Sequence, residues 1–203
     1  MISSLLGHEL DRPLSWLIKN SFLERVHPTA LTLTGLLVNL IAAAAVIAGY
    51  WKSAALLILV AGLCDMLDGA TARTQRKTSY FGGFIDSVID RYSDMALLIA
   101  LIIFYALREK IFMVSLCAIA SLGTVLIPYT RAKAEAFIPE CKVGLMERAE
   151  RILLLAAGAF FNMMEIVMWL MAIFTHLTVF HRIYYTWKET RKLPQEHPTD
   201  SRR

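Results

Sequence analysis

The polarity of the chain changes in long blocks. Apolar runs cover roughly residues 30–50, 53–72, 83–107, 111–135, 147–163 and 165–187, with short polar joints between them. Each can cross a bilayer as a helix, which takes about 20 mostly apolar residues. Residues 4–25 follow a different rule. Leu10, Leu14 and Leu17 fall on one helical face with Ile18 and Phe22 beside it, while Asp11, Ser15, Lys19 and Asn20 lie elsewhere. That pattern suits an amphipathic helix lying on the membrane surface or packed on a bundle. The prediction is an all-α integral membrane protein: six transmembrane helices plus an N-terminal juxtamembrane amphipathic helix. The chain then divides into a cytoplasmic or juxtamembrane segment over 1–28, one six-helix domain over 29–187 and a polar tail over 188–203.

Composition agrees with this reading. Hydrophobic residues make up 57% of the 203, above the roughly 45–50% of a soluble domain. Cys64, Cys117 and Cys141 have no metal-like spacing and read as small apolar fillers. The first 25 residues carry Asp11, Arg12, Lys19, Glu24 and Arg25 and no continuous apolar core, so no cleavable signal peptide is expected.

The net charge of +4 is modest, and its distribution says more. With both termini on one side, that side holds 17 of the 21 Lys and Arg. The other side holds Lys52, Arg108 and Lys110, and Arg91 falls inside a span. The positive-inside bias predicts a multi-pass protein of the cell (inner) membrane with both termini cytoplasmic. Membrane lipids are the expected surroundings, and no nucleic-acid partner is expected.

The chemistry concentrates in residues 64–94, "CDMLDGATARTQRKTSYFGGFIDSVIDRYSD". Asp65 and Asp68 are i, i+3 near the end of the second span. Asp86 and Asp90 are i, i+4 near the start of the third, and Asp94 continues that face one turn deeper. Two antiparallel helices can thus present four carboxylates to one cavity on the cytoplasmic side. Such acids repel unless protonated or joined by cations, and hard oxygen ligands at this density suit Mg²⁺ or Mn²⁺. Four carboxylates offset two divalent ions, and two-metal sites serve phosphoryl chemistry. Arg73, Arg76 and Lys77 follow, and cations there suit a phosphate-bearing ligand. Alternatives are a structural acid pair, a divalent cation transporter and a non-catalytic membrane scaffold.

The spacing is more specific than the acids alone. Asp65, Asp68, Gly69, Ala72, Arg73, Gly82, Asp86 and Asp90 fill D-x2-D-G-x2-A-R-x8-G-x3-D-x3-D. This resembles the signature of the CDP-alcohol phosphotransferase family, and the six-span pattern extends the resemblance over most of the chain. The resemblance implies transfer of a phosphatidyl-type group from a CDP-diacylglycerol-type lipid to an alcohol, with release of CMP. It implies two ions, with Asp65 and Asp86 bridging both, Asp68 binding one and Asp90 the other. Asp90 is also the implied general base. Gly69 and Arg73 would hold the CDP part, with Ser79 near the nucleotide. "HPTALTLTG", with Pro28, Thr32 and Gly35, resembles the family's P-x3-T-x2-G entry, which adds Pro28, Thr29, Ala30 and Leu31 as CDP contacts. A homodimer follows by family analogy. Asp94 lies outside the signature, and a hydrogen bond to a neighbouring helix is its expected use.

The acceptor has to be read elsewhere. Arg131 and Lys133, Arg148 and Arg151, and Arg182 lie at cytoplasmic helix ends. They suit an anionic acceptor such as a sugar phosphate, although topology alone also places basic residues there. "YTRAKAE", "ERAER" and "HR" resemble segments of the phosphatidylinositol phosphate synthase branch. That resemblance implies inositol 1-phosphate as acceptor, its phosphate held by Arg131, Arg151 and Arg182. The first of these is usually Lys in that branch. Glycerol 3-phosphate is the alternative acceptor.

Overall fold

The computed structural model describes residues 28–74 and 79–192, and within them all regular structure is helical. The elements are α1 (Pro28–Ala48), α2 (Trp51–Thr74), α3 (Tyr80–Ala106), α4 (Ile111–Ala134), α5 (Arg148–Phe160) and α6 (Met164–Thr190). The expected amphipathic helix over 4–25 lies outside the described residues, as do Arg76 and Lys77 and the tail from 193 onward.

Tight joints link α1 to α2, α3 to α4 and α5 to α6. Gly49, at φ +81°, turns α1 into α2, a backbone conformation open to glycine at little cost. Glu109 and Asn162 take φ of 58° and 57° in the joints α3–α4 and α5–α6. Helix α1 packs on α2 and α3, α2 on α5, α3 on α4, and α6 on α4 and α5. The core is built from small and flexible side chains, including Ala42, Ala54, Leu98, Leu101, Cys117, Ala120, Met168 and Met171. Gly123 of α4 shows how close the backbones come: a Cβ there would sit 2.1 Å from Thr175 Oγ1 of α6. Small residues at such crossings suit membrane bundles, where close packing replaces the hydrophobic effect as the cohesive force.

The outer surface is apolar. Leu33, Leu37, Leu56, Ile99, Phe112, Trp169 and Phe174 are exposed. Among the described residues, three helices are long and apolar enough to cross a membrane: Ala30–Ala48, Ile111–Ala134 and Met164–Thr190. The other three depart from that standard for physical reasons. Helix α2 carries Lys52, Asp65 and Asp68, and α3 carries Asp86, Asp90, Arg91 and Asp94. Helix α5 has 13 residues where a run over 147–163 is expected, giving a length of about 20 Å. Apart from Lys52, the charges named in α2 and α3 are those of the site.

Candidate metal and phosphoryl-transfer site

The acids meet where α2 ends and α3 begins. Ser79 starts α3 as its N-cap, its Oγ accepting from the Gly82 N–H at 2.9 Å. From there, the 3.6-residue period puts Asp86, Asp90 and Asp94 on successive turns of one face. Asp65 and Asp68 approach from the last turns of α2. One carboxylate oxygen each of Asp65, Asp68 and Asp86 lies within 4.8 Å of the others, close enough for one cation to bind all three. Asp86 Oδ1 is buried and accepts no hydrogen bond among the described residues. A buried carboxylate oxygen without a donor is costly, and a hard divalent cation satisfies it. The donor set therefore fits the metal that the sequence implies.

Asp90 is placed differently. It is linked to Asp65 through Arg148, the first residue of α5. Arg148 Nη1 lies 2.5 Å from Asp65 Oδ1 and 2.6 Å from Asp90 Oδ1, and its Nε lies 3.7 Å from Asp94 Oδ1. Arg91 flanks the same acids, with Nη2 3.6 Å from Asp90 and 3.9 Å from Asp94. The sequence marked Arg148 only as one of several edge cations. The i, i+3 spacing of Arg148 and Arg151 is the signal that both face one direction. A buried bond from Asn39 Nδ2 to the Ser93 carbonyl, 2.9 Å, ties α1 to α3 beside the acids.

Asp94 makes the expected bond to a neighbouring helix: its Oδ2 accepts from Arg151 Nη2 at 2.5 Å. Arg151 is 2% exposed and also donates to the Met146 carbonyl at 3.3 Å. Arg182, equally buried, donates to the carbonyls of Val143 at 2.8 Å and Ile127 at 2.5 Å, with Glu147 4.0 Å away. Arg182 thereby pins the α4–α5 loop to α4. Gly144 makes room for this at φ +146°, where a Cβ would sit 2.7 Å from the Thr178 methyl. Arg131 is more open and donates to Glu135 Oε1 at 3.0 Å. Burial disfavours the Glu135 carboxylate, but Arg131 and the Cys141 N–H outweigh it and hold its carboxyl below the usual range. The three arginines are thus distributed: Arg151 lies in the acid pocket, while Arg182 and Arg131 lie toward the α4–α5 loop.

The donor-side candidates divide similarly. Leu31 is buried in α1, and Ala30 is exposed one residue earlier. Thr32 and Gly35 line the same cavity as Asp65, Asp68 and Asp90. Pro28, Thr29, Gly69 and Arg73 lie in helical turns, and their side chains are outside the described set.

Known proteins share this fold and much of this sequence. The archaetidylinositol phosphate synthase of Pyrococcus horikoshii is 32% identical over 182 residues, 89% of this chain and 94% of its own. Its counterpart from Methanothermobacter thermautotrophicus is 34% identical over 168 residues, 79% of this chain and 83% of its own. The crystal structure of Mycobacterium tuberculosis phosphatidylinositol phosphate synthase with CDP-DAG bound superposes with a TM-score of 0.75 at 26% identity, covering 88% of this chain and 94% of that one. A second structure of that enzyme, with manganese and citrate, superposes equally well over 87% and 88%. Residues 25–180 match the CDP-alcohol phosphatidyltransferase family as a whole. With its aspartates gathered between α2 and α3 and that match across most of its length, the chain belongs to the CDP-alcohol phosphatidyltransferase family, a family of transferase enzymes.

Proposed function

We propose that this protein transfers the phosphatidyl-type group of a CDP-linked lipid to inositol 1-phosphate, giving the phosphatidylinositol phosphate and CMP. The convergence of Asp65, Asp68 and Asp86 on one point, with Asp90 on the adjoining turn, carries the reading. The acceptor is supported by the relatives' names, which share an inositol phosphate headgroup while differing in the lipid.

In this reading Asp65, Asp68, Asp86 and Asp90 hold two divalent ions, Mg²⁺ in the first place and Mn²⁺ as the alternative. When bound, such ions neutralise phosphoryl oxygens and draw electron density from phosphorus. Asp90 takes the proton of the acceptor hydroxyl. The freed oxygen attacks the β-phosphorus of the CDP-lipid, forming a new P–O bond. The pyrophosphate P–O bond breaks, and CMP leaves with its electron pair. Gly69, Arg73, Ser79 and the turn from Pro28 to Leu31 receive the CDP group. Arg131, Arg151 and Arg182 receive the acceptor phosphate.

The remaining expectations belong to the same proposal. The six described helices, from Pro28 to Thr190, form one membrane domain. The termini and the acid site face the cytoplasm, and the protein works as a homodimer. Purified protein given Mg²⁺, CDP-diacylglycerol or its diether counterpart, and each acceptor in turn tests the chemistry. CMP release with inositol 1-phosphate is expected. Release with glycerol 3-phosphate alone overturns the acceptor, and divalent-ion flux in proteoliposomes without CMP release overturns the reaction.

A further inference from the structure

Arg148 divides the acid pocket in two. Asp65, Asp68 and Asp86 form one group, reached by a single cation. Asp65 and Asp90 form the other, with the Arg148 guanidinium 2.5 and 2.6 Å from their oxygens. We propose that Arg148 is a tethered cation that holds the Asp65–Asp90 half of the site and yields it only to the second of two divalent ions, so that metal loading is sequential. This rests on the two-ion reading above.

Three observations carry it. The first is steric. Nη1 sits between one oxygen of Asp65 and one of Asp90, two of the acids that would hold a second ion. A guanidinium nitrogen and a metal cannot both occupy that point. The cavity lined in part by Asp65, Asp68, Asp90, Asp94, Arg148 and Arg151 has about 30 Å³ of free space, about the volume of one water.

The second is charge. Among the described side chains, Arg91, Arg148 and Arg151 face Asp65, Asp68, Asp86, Asp90 and Asp94. Two formal negative charges remain, the charge of one divalent ion. Counted over the described side chains, the pocket with Arg148 in place is matched to a single ion, and a second one gains by displacing it.

The third is mobility. Arg151 and Arg182 are 2% exposed and bonded to backbone carbonyls. The Arg148 side chain is 21% exposed and stands at the first turn of α5. Of these three arginines, it can swing outward without breaking a buried carbonyl bond.

The test is a Mn²⁺ titration of the full-length, detergent-solubilised protein at constant ionic strength, with free Mn²⁺ read by electron paramagnetic resonance. Wild type is expected to bind two ions, the second more weakly. Arg148→Met should tighten the second site about tenfold and the first by less. Arg148→Lys should keep the wild-type gap. If thermal unfolding shows that Arg148→Met does not fold, Arg148→Gln takes its place with the same expectation. Second-site affinity that is unchanged or weaker in the neutral variant overturns the inference and leaves the two-ion reading standing. Fewer than two Mn²⁺ bound by wild type overturns both.

Discussion

The acid pocket and the basic α4–α5 region differ in how completely their charges are used. In the pocket, Asp86 Oδ1 is buried without a donor among the described residues, and Asp65 and Asp90 are joined through a partly exposed arginine. Around the loop, Arg182 spends its donors on two backbone carbonyls and Arg131 bonds Glu135. One region keeps unspent ligand capacity, and the other has converted its charge into architecture. A carboxylate cluster cannot satisfy itself, because carboxylates only accept. An arginine among carbonyls can. The acids therefore announce a ligand even alone, whereas a bound phosphate must compete with bonds the arginines already make.

Removing an acid should do the most damage to turnover. Asp90→Asn keeps the shape of the side chain and removes its basicity. CMP release should fall about 10³-fold, equivalent to about 4 kcal/mol of barrier, with thermal unfolding in detergent nearly unchanged. Retained turnover removes Asp90 as the base. A large loss of stability would instead make it architectural, and the contrast with the arginines would collapse.

Arg182 should behave in the opposite way. Arg182→Ala removes the donors to Val143 and Ile127 and leaves both carbonyls wanting. A stability loss of about 3 kcal/mol is expected, read as an earlier unfolding transition. Arg182→Lys should recover only part of it, since an ammonium lacks the planar fork. If Arg182→Ala unfolds like wild type and only weakens the acceptor, the loop arginine is a ligand alone and not also a strut.

Between the extremes lies the Asp94–Arg151 pair, which belongs to both regions. A double-mutant cycle with Asp94→Asn and Arg151→Met should give a coupling of about 2 kcal/mol in unfolding free energy. Each single change leaves a buried charge facing too few partners, so the double variant should lose less than the sum. A coupling near zero would mean that Arg151 is not held by Asp94 and is ready for substrate as it stands.

The same contrast explains what the sequence could reveal. Asp65 with Asp68 and Asp86 with Asp90 are local pairs, and helical periodicity alone puts each pair on one face. The apolar run over 111–135 becomes a helix over Ile111–Ala134, and that over 165–187 becomes Met164–Thr190. Arg148 was harder to read because its partners are 83 and 58 residues away, and only the packing of α5 on α2, with α1 joining α2 to α3, brings them together. The use of Arg182 was hidden for another reason. Its partners are carbonyls, which every residue carries, so no side-chain pattern marks them. The position of Asp94 outside the signature did carry information: a buried acid with no assigned ligand needs a cation, and Arg151 supplies it.

Arg131 should show the smallest effect on stability and the sharpest on specificity. Its side chain is 39% exposed, and its partner Glu135 is 34% exposed. An ion pair that open is worth less than about 1 kcal/mol, so Arg131→Ala should leave the unfolding transition close to wild type. If it receives the acceptor phosphate, KM for inositol 1-phosphate should rise about tenfold with kcat little changed, the signature of an interaction made equally in ground and transition states. KM for the CDP-lipid should not move. Glu135→Gln is the complement: it weakens the competing partner, so KM for the acceptor should fall. If neither substitution moves that KM, Arg131 is a surface cation placed by topology. The acceptor phosphate would then fall to Arg151 and Arg182, where it competes with their bonds to Asp94, Met146, Val143 and Ile127.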